Sequence, residues 1–367
     1  MDAFCRRFAL RVSEHLADHR QGTGLSLRRL AHALCFNGCV PSAIRPLKKA
    51  FKAVAATRLG WALSRRARQP GCVVLHYHRV SVSTDDFPHL DVANFRAQMA
   101  WLSRHCRVIA PDEFRARAIS GQSDARRPDV LVTFDDGYRC YYDHAYPVLR
   151  HYGIRAMNFL CTRFVDDPTL LGWWDRLYLA VRATSKPRAA LPWAPRMFEF
   201  DDAGRKAFLV AAKDHVKRQP EFDKESTTQQ ILEALDVDTA ALRAPRQTMS
   251  WDEVRDASEF TSYGGHTHNH VIVSRLEAQP LDDEIRTCRE RIELETGRAI
   301  ETFAYPNGRA IDFTEEAKML LKRNGFRTAF TTIDGINGKD TDWLAARRIA
   351  GGSSVADLAW RLARLQA

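Results

Sequence analysis

Two segments, well separated along the chain, hold side chains whose types and spacing suit hydrolysis at a metal ion. Thr133-Phe134-Asp135-Asp136-Gly137-Tyr138 follows the apolar run Val130-Leu131-Val132, and His266-Thr267-His268-Asn269-His270 follows Gly264-Gly265. Two adjacent carboxylates repel, and one of them resists ionising unless a cation relieves the repulsion. With a cation present, one Asp ligates and the other stays free to take a proton from water. His266 and His270 stand at i and i+4, so one helical turn would carry both imidazoles on one face. Two imidazoles and one carboxylate make a three-ligand site with a position open for water. Zinc is the default cation for these donors, although donor type alone does not select the metal. His268, between the two, is expected to point elsewhere. Taken singly, each segment has a plainer reading: Asp-Asp-Gly is common turn chemistry, and a lone histidine is usually structural or solvated.

The elements around them must bring the two segments together. Pro128 to Phe134 reads as a buried strand entering a turn at Gly137, which puts the carboxylates at a strand end, where α/β folds carry their chemistry. Val73-Val74-Leu75-His76-Tyr77-His78-Arg79-Val80 is a second strand-like run ending in histidine. Asn94 to Leu102 reads as a helix with Phe95, Met99 and Leu102 on one side, and Tyr141 to Tyr152 as the helix after the Asp-Asp-Gly turn. Arg155 to Leu160 is the next strand, and Val355 to Leu365 an amphipathic terminal helix. Residues 163–250 are too many for a bare loop and are expected to form a mainly helical insertion. Its Trp173 and Trp174 read as core more readily than as a sugar platform.

The two segments resemble the first two motifs of the polysaccharide deacetylases, carbohydrate esterase family four, in which T-F-D-D-G is followed by H-[ST]-x-x-H. The resemblance implies Asp135 as general base, Asp136, His266 and His270 as metal ligands, and an α/β fold. That fold would be a distorted relative of the (β/α) barrel with about seven strands. The run ending in His78 resembles the Y-H-x-[IV] segment of the branch acting on poly-N-acetylglucosamine, whose motif order is circularly permuted. It implies His78 as general acid, with His76, two residues back on the same strand face, as the competing candidate. Phe303-Ala304-Tyr305-Pro306-Asn307-Gly308 stands where the third motif belongs but departs from its usual form, an Arg before an aromatic and then Pro-Tyr. The resemblance implies a backbone N–H near Tyr305 for the oxyanion. The family's base-orienting Arg has no local counterpart, and Arg348, from the late run Ala345-Ala346-Arg347-Arg348-Ile349-Ala350, is the substitute. The activity implied is metal-dependent removal of an N-acyl group, N-acetyl above all, from an amino sugar in a polysaccharide or lipid-linked glycan. A reading from another class is a catalytically silent carbohydrate- or membrane-binding module on the same fold. A complete ligand set with a separate base argues against it.

Composition agrees with an enzyme. The chain has 367 residues, 45% of them apolar, enough to bury a large core. No G-x-S-x-G or Walker loop occurs, so neither a serine nucleophile nor a phosphate-cradling loop is indicated. The eight cysteines are scattered without disulfide-like spacing. The start lacks the long apolar stretch of a secretory signal, and these features read as a cytoplasmic chain. Residues 1–70 hold 14 Lys or Arg against Asp2, Glu14 and Asp18, whereas the whole chain carries a net +10. The basic excess therefore belongs to a helical N-terminal segment, with 71–367 as the catalytic domain beyond Gln69-Pro70-Gly71. Within that segment Leu47, Phe51, Val54, Trp61 and Leu63 alternate with cations at roughly helical spacing. Such a helix suits an anionic membrane surface or packs on the barrel with a solvated basic face. No nucleic-acid-binding motif is present.

Overall fold

The computed structural model describes residues 71–82, 87–121, 127–238 and 246–365. The basic segment 1–70, with its expected membrane contact, lies outside the described residues. The chain runs β1 (Cys72–Tyr77), β2 (Val80–Ser81), β3 (Leu90–Asp91), α1 (Val92–His105), β4 (Arg107–Val108), α2 (Phe114–Ser120) and β5 (Asp129–Asp135). A π-helical turn (Tyr141–Ala145) leads into α3 (Tyr146–His151), followed by β6 (Ala156–Leu160) and α4 (Thr162–Asp166). The insertion comprises α5 (Trp173–Ala183), β7 (Arg188–Leu191), β8 (Ala194–Glu199), α6 (Asp202–Val216) and α7 (Lys224–Ala234). The chain then forms α8 (Trp251–Ala257), β9 (Thr261–Gly265), α9 (Ala278–Thr296), β10 (Thr302–Ala304), α10 (Glu315–Arg323), β11 (Thr328–Phe330), β12 (Ile349–Ala350) and α11 (Val355–Leu365).

The main sheet has the neighbour order β11-β10-β9-β6-β5-β1-β12, with β4 beside the start of β5, and every pairing is parallel. Phe330 pairs with Ala346, and Ile349 pairs with Leu75 in β1, so residues 346–350 reach from the last strand back to the first. This is the distorted barrel the resemblance implies. Its two faces explain why β1 and β5 show no polar alternation: both sides are covered. Val73, Leu75, Val130, Val132 and Phe134 face the surrounding helices. Cys72, Val74, Leu131, Met157, Phe159 and Phe330 fill the barrel interior. Period-two alternation then sends Thr133 and Asp135 inward from β5, and His76 and His78 inward from β1. Because all strands run one way, their C-terminal ends meet at one rim. Gly264 lets β9 pass there: a Cβ would lie 2.6 Å from the Phe159 ring and 2.7 Å from the Thr302 carbonyl oxygen.

The insertion is helical as expected, but it also contains the antiparallel pair β7–β8. Inward Ala189, Leu191 and Phe198 alternate with exposed neighbours only briefly, and Pro192 and Pro195 interrupt the run, so the strand pattern is weak in sequence. The insertion has its own apolar cluster around Leu177, Phe208, Val216, Ile231 and Leu232. Phe208 is fully buried there. Phe208→Ala is expected to cost about 3–5 kcal/mol, read as a lowered denaturant midpoint. Among the described residues no helix is long and apolar enough to cross a membrane.

Candidate active site

The strand ends deliver the side chains singled out above to one cavity of about 320 Å³. It is lined by His78, Asp135, Asp136, His266, His270 and Tyr305, together with residues of the insertion. His266 Nε2 and His270 Nε2 each lie 3.3 Å from Asp136 Oδ1. The histidines do not reach this point as one helical turn. The segment 266–270 is irregular, with Thr267 and His270 in the left-handed region (φ 62° and 57°). The turn is held from outside: Glu284 accepts the backbone N–H groups of His268 and Asn269, and Thr267 Oγ1 accepts that of Val271. Asp136 and Asn307 also have positive φ, 76° and 60°. Four of the five non-glycine residues with positive φ among the described residues thus lie in the site segments. Such strain, of order 1–3 kcal/mol per residue, persists where function fixes the backbone.

The donor set fits a cation. His266 Nδ1 lies 2.6 Å from the Ala304 carbonyl oxygen, a contact that requires its proton on Nδ1. Its Nε2 lone pair then faces Asp136 Oδ1, a buried oxygen with no hydrogen-bond partner. Three ligand atoms, one each from Asp136, His266 and His270, converge on one point, the arrangement a divalent ion would bridge. Cys161 Sγ lies within the same cluster, but it is buried and its thiol donates to the His266 carbonyl oxygen. Burial and the surrounding carboxylates hold that thiol well above its usual pKa. His268 stands outside the cluster, 2.8 Å through Nδ1 from Thr162 Oγ1. His268→Ala is expected to retain the full metal content, measured by elemental analysis of purified protein. Loss of metal would mean that the ligand set is misread.

Asp135 is placed for a different task. The Arg348 guanidinium donates to Asp135 Oδ1 at 2.7 Å and Oδ2 at 2.8 Å, and to the Thr331 carbonyl oxygen at 2.9 Å. Arg348 has no exposed surface, and its guanidinium lies 5.6 Å from the Phe159 ring. Burial pushes the Asp135 carboxyl upward, but Arg348, together with His266 and His78, more than offsets this and holds it well below the usual carboxylate range. His78 Nε2 lies 4.0 Å from Asp135 Oδ2, with 47% of its side chain exposed to the cavity. His76 sits beneath it in the barrel, ring centroids 5.7 Å apart, with Nδ1 buried and without a hydrogen-bond partner. Burial, Arg348 and His78 lower its pKa to about 3.

Tyr305 is fully buried, its hydroxyl donating to the Leu344 carbonyl oxygen. Its own N–H donates to the Phe330 carbonyl oxygen, so it is not the free donor expected there. Pro306 has no N–H, and the next amide, that of Asn307, has no hydrogen-bond partner among the described residues and borders the cavity. The insertion contributes more than core packing. Trp174 lies 4.4 Å from the His270 ring and donates to the Tyr138 hydroxyl at 2.9 Å, and Trp173 lines the same cavity. Asp175 pairs with Arg79 at 2.8 Å, and burial pushes its pKa up to about 6 against the pull of Arg79. The sequence reading of Trp173 and Trp174 as core misses their place on this wall.

A parallel α/β barrel with an Asp-His-His cluster at the C-terminal rim, and an Arg-held carboxylate beside it, defines the architecture. The sequence profile of the polysaccharide deacetylases matches residues 122–192 and 222–329, taking in both motif segments and Tyr305 but neither His78 nor Arg348. The chain belongs to the polysaccharide deacetylase family. It is 34% identical over 88 residues to the polysaccharide-deacetylase-like protein YxkH of Bacillus subtilis (strain 168), covering 24% of this chain and 30% of that one. It is 31% identical over 110 residues to the poly-beta-1,6-N-acetyl-D-glucosamine N-deacetylase of Staphylococcus epidermidis, covering 26% of this chain and 37% of that one. The chain thus spans about a third of the length of these curated relatives. Among solved structures, IcaB from Ammonifex degensii superposes with a TM-score of 0.52 at 19% identity, covering 82% of this chain and 99% of that one. The Streptococcus pyogenes deacetylase PplD, solved in complex with acetate, gives 0.52 at 15% identity over the same shares. At these identities the superpositions establish the fold.

Proposed function

We propose that this protein hydrolyses the N-acetyl group of an amino sugar within a glycan, with a divalent cation held by Asp136, His266 and His270. The observation carrying the reading is the division of labour between neighbouring carboxylates. Asp136 Oδ1 lies 3.3 Å from each of two imidazole nitrogens, whereas both oxygens of the neighbouring Asp135 are clamped by Arg348. A divalent cation, zinc by default for these donors, would supply Lewis acidity and ease the deprotonation of water.

Asp135 acts as general base, taking a proton as water adds to the acyl carbon. Arg348 keeps its carboxylate ionised and fixed in orientation, the task the family gives to an Arg of the third motif. The Asn307 amide N–H, two residues beyond Tyr305 and unpaired among the described residues, is the donor available to the oxygen on which charge develops. His78, exposed to the cavity beside Asp135, gives a proton to the leaving nitrogen as the C–N bond breaks. The products are acetate and a free amine. A module without catalysis would not need both a ligand carboxylate and a separately buried, Arg-paired one.

The test is acetate release from N-acetylated sugars and oligosaccharides by the full chain after loading with zinc, manganese or cobalt. No release from any substrate with any metal would remove the hydrolase reading. Within the same assay, His78→Ala is expected to lower turnover about 10²-fold or more with metal content unchanged. His76→Ala should leave turnover much closer to wild type. The reverse ranking would transfer the acid role to His76.

A further inference from the structure

The cavity wall facing the Asp-His-His cluster carries more positive charge than the proposed chemistry requires. Lys213, in the last turn of α6, and Lys217, just beyond its end, both line the cavity. Neither ammonium has an ion-pair or hydrogen-bond partner among the described residues, although each is largely shielded from solvent. The nearby acids are mostly engaged elsewhere: Asp175 with Arg79, Asp312 with Arg309, and Glu221 with Lys224. Asp214, beside Lys213 on α6, is exposed. Cations at a helix C-terminus are favourable against the helix dipole. That accounts for lysines in the last turn but not for two of them bordering a cavity that also holds an active-site cluster. Burial lowers the pKa of both lysines, the cost of shielding an ammonium, which Asp175 at Lys213 and Asp214 and Asp312 at Lys217 offset only in part. An N-acetylated sugar without an acidic substituent offers nothing to offset that cost.

We propose that Lys213 and Lys217 bind a phosphoryl group carried by the acylated sugar, so that the substrate is a glycosyl phosphate or a phosphate-linked glycan. The proposal rests on the hydrolase reading of this cavity for its sugar, and on the two lysines for its phosphate. Positions i and i+4 place both side chains along one side of α6. A phosphomonoester, with three free oxygens, or a phosphodiester, with two, can accept from both ammoniums at once. Trp173 and Trp174, on the adjoining α5, border the same space, where an aromatic face suits a sugar ring.

The experiment compares dissociation constants of the metal-loaded full chain for N-acetylglucosamine and for its 1-phosphate. Each hydrogen bond to a charged group supports roughly a tenfold preference, so the phosphate is expected to bind about tenfold or more tightly in the wild type. Lys213→Gln/Lys217→Gln should bring the ratio to about one, and Lys213→Arg/Lys217→Arg should keep it. Equal affinity in the wild type overturns the proposal. So does an undiminished ratio in the glutamine pair, which would place the phosphate on the metal or elsewhere. A polyisoprenyl phosphate-linked N-acetylated sugar in detergent, binding as tightly as the soluble phosphate or more so, would assign the phosphoryl group to a lipid carrier. Weaker binding would assign it to a soluble sugar phosphate, and either result supports the site. If the lysine-dependent preference holds and no acetate is released from any substrate, the hydrolase reading fails while the phosphoryl site stands.

Discussion

Asp135→Asn is expected to reduce turnover by about 10²–10⁴-fold, the usual contribution of a positioned base, while metal content stays at the wild-type level. The three proposed ligands are untouched by this change, so metal analysis separates loss of the base from loss of the site. The structure adds a second consequence. Arg348 is fully buried and donates to both oxygens of Asp135. Removing the charge leaves a guanidinium without its counter-ion, and breaking one side of such a buried pair costs about 3–5 kcal/mol. The variant should therefore unfold at markedly lower denaturant concentration. The pH dependence has a defined sign. The folded pKa of Asp135 lies below the ordinary value, so folding favours its ionised form. The stabilisation is fully present above the unfolded value, about 3.9, and is lost as pH falls further toward the folded one. The acid-side decline in stability should be shallower in Asp135→Asn than in wild type. A variant that turns over near the wild-type rate would remove Asp135 from the mechanism, whatever its stability.

Much of this site is legible in the sequence, because each carboxylate or imidazole sits at the end of a strand whose apolar run announces it. Val130 to Phe134 leads to Asp135 and Asp136, and Val73 to Tyr77 leads to His78. The alternation of β1 and β5 even distinguishes the inner from the outer side chains once a barrel is assumed. Spacing misleads at the histidines. An i, i+4 pair looks helical, yet here convergence depends on left-handed backbone at Thr267 and His270 and on Glu284, which is distant in sequence. The proposed oxyanion donor is equally obscure in sequence, since only the pairing of the Tyr305 amide with Phe330 leaves the next N–H, that of Asn307, unpaired. Arg348 could be proposed by type, but its approach to Asp135 depends on residues 346–350 bridging β11 and β1, which no local pattern encodes. The cavity wall from the insertion was the least visible part. Trp173, Trp174 and Lys213 have ordinary helical patterning, and only tertiary packing turns them toward the rim.

Asp136→Ala is expected to abolish both metal retention and turnover, and its cost in stability should be largest when metal is present. In the wild type, a ligand that binds only the folded state adds stability by mass action, about 2.7 kcal/mol when its free concentration is a hundred times the dissociation constant. Zinc should therefore raise the thermal midpoint of wild type and leave that of Asp136→Ala unchanged. After exhaustive chelation the gap should narrow. Without metal, His266 and His270, each 3.3 Å from Asp136 Oδ1, hold its carboxyl well below the usual range against the penalty of burial, so alanine gives up that pairing along with the penalty. If the alanine variant without metal is instead much less stable than chelated wild type, Asp136 is a structural partner of the two histidines. Their convergence would then be an ordinary buried hydrogen-bond network. Differential scanning calorimetry of both proteins, with zinc and with chelator, gives the four midpoints that decide between a metal centre and a packed polar cluster.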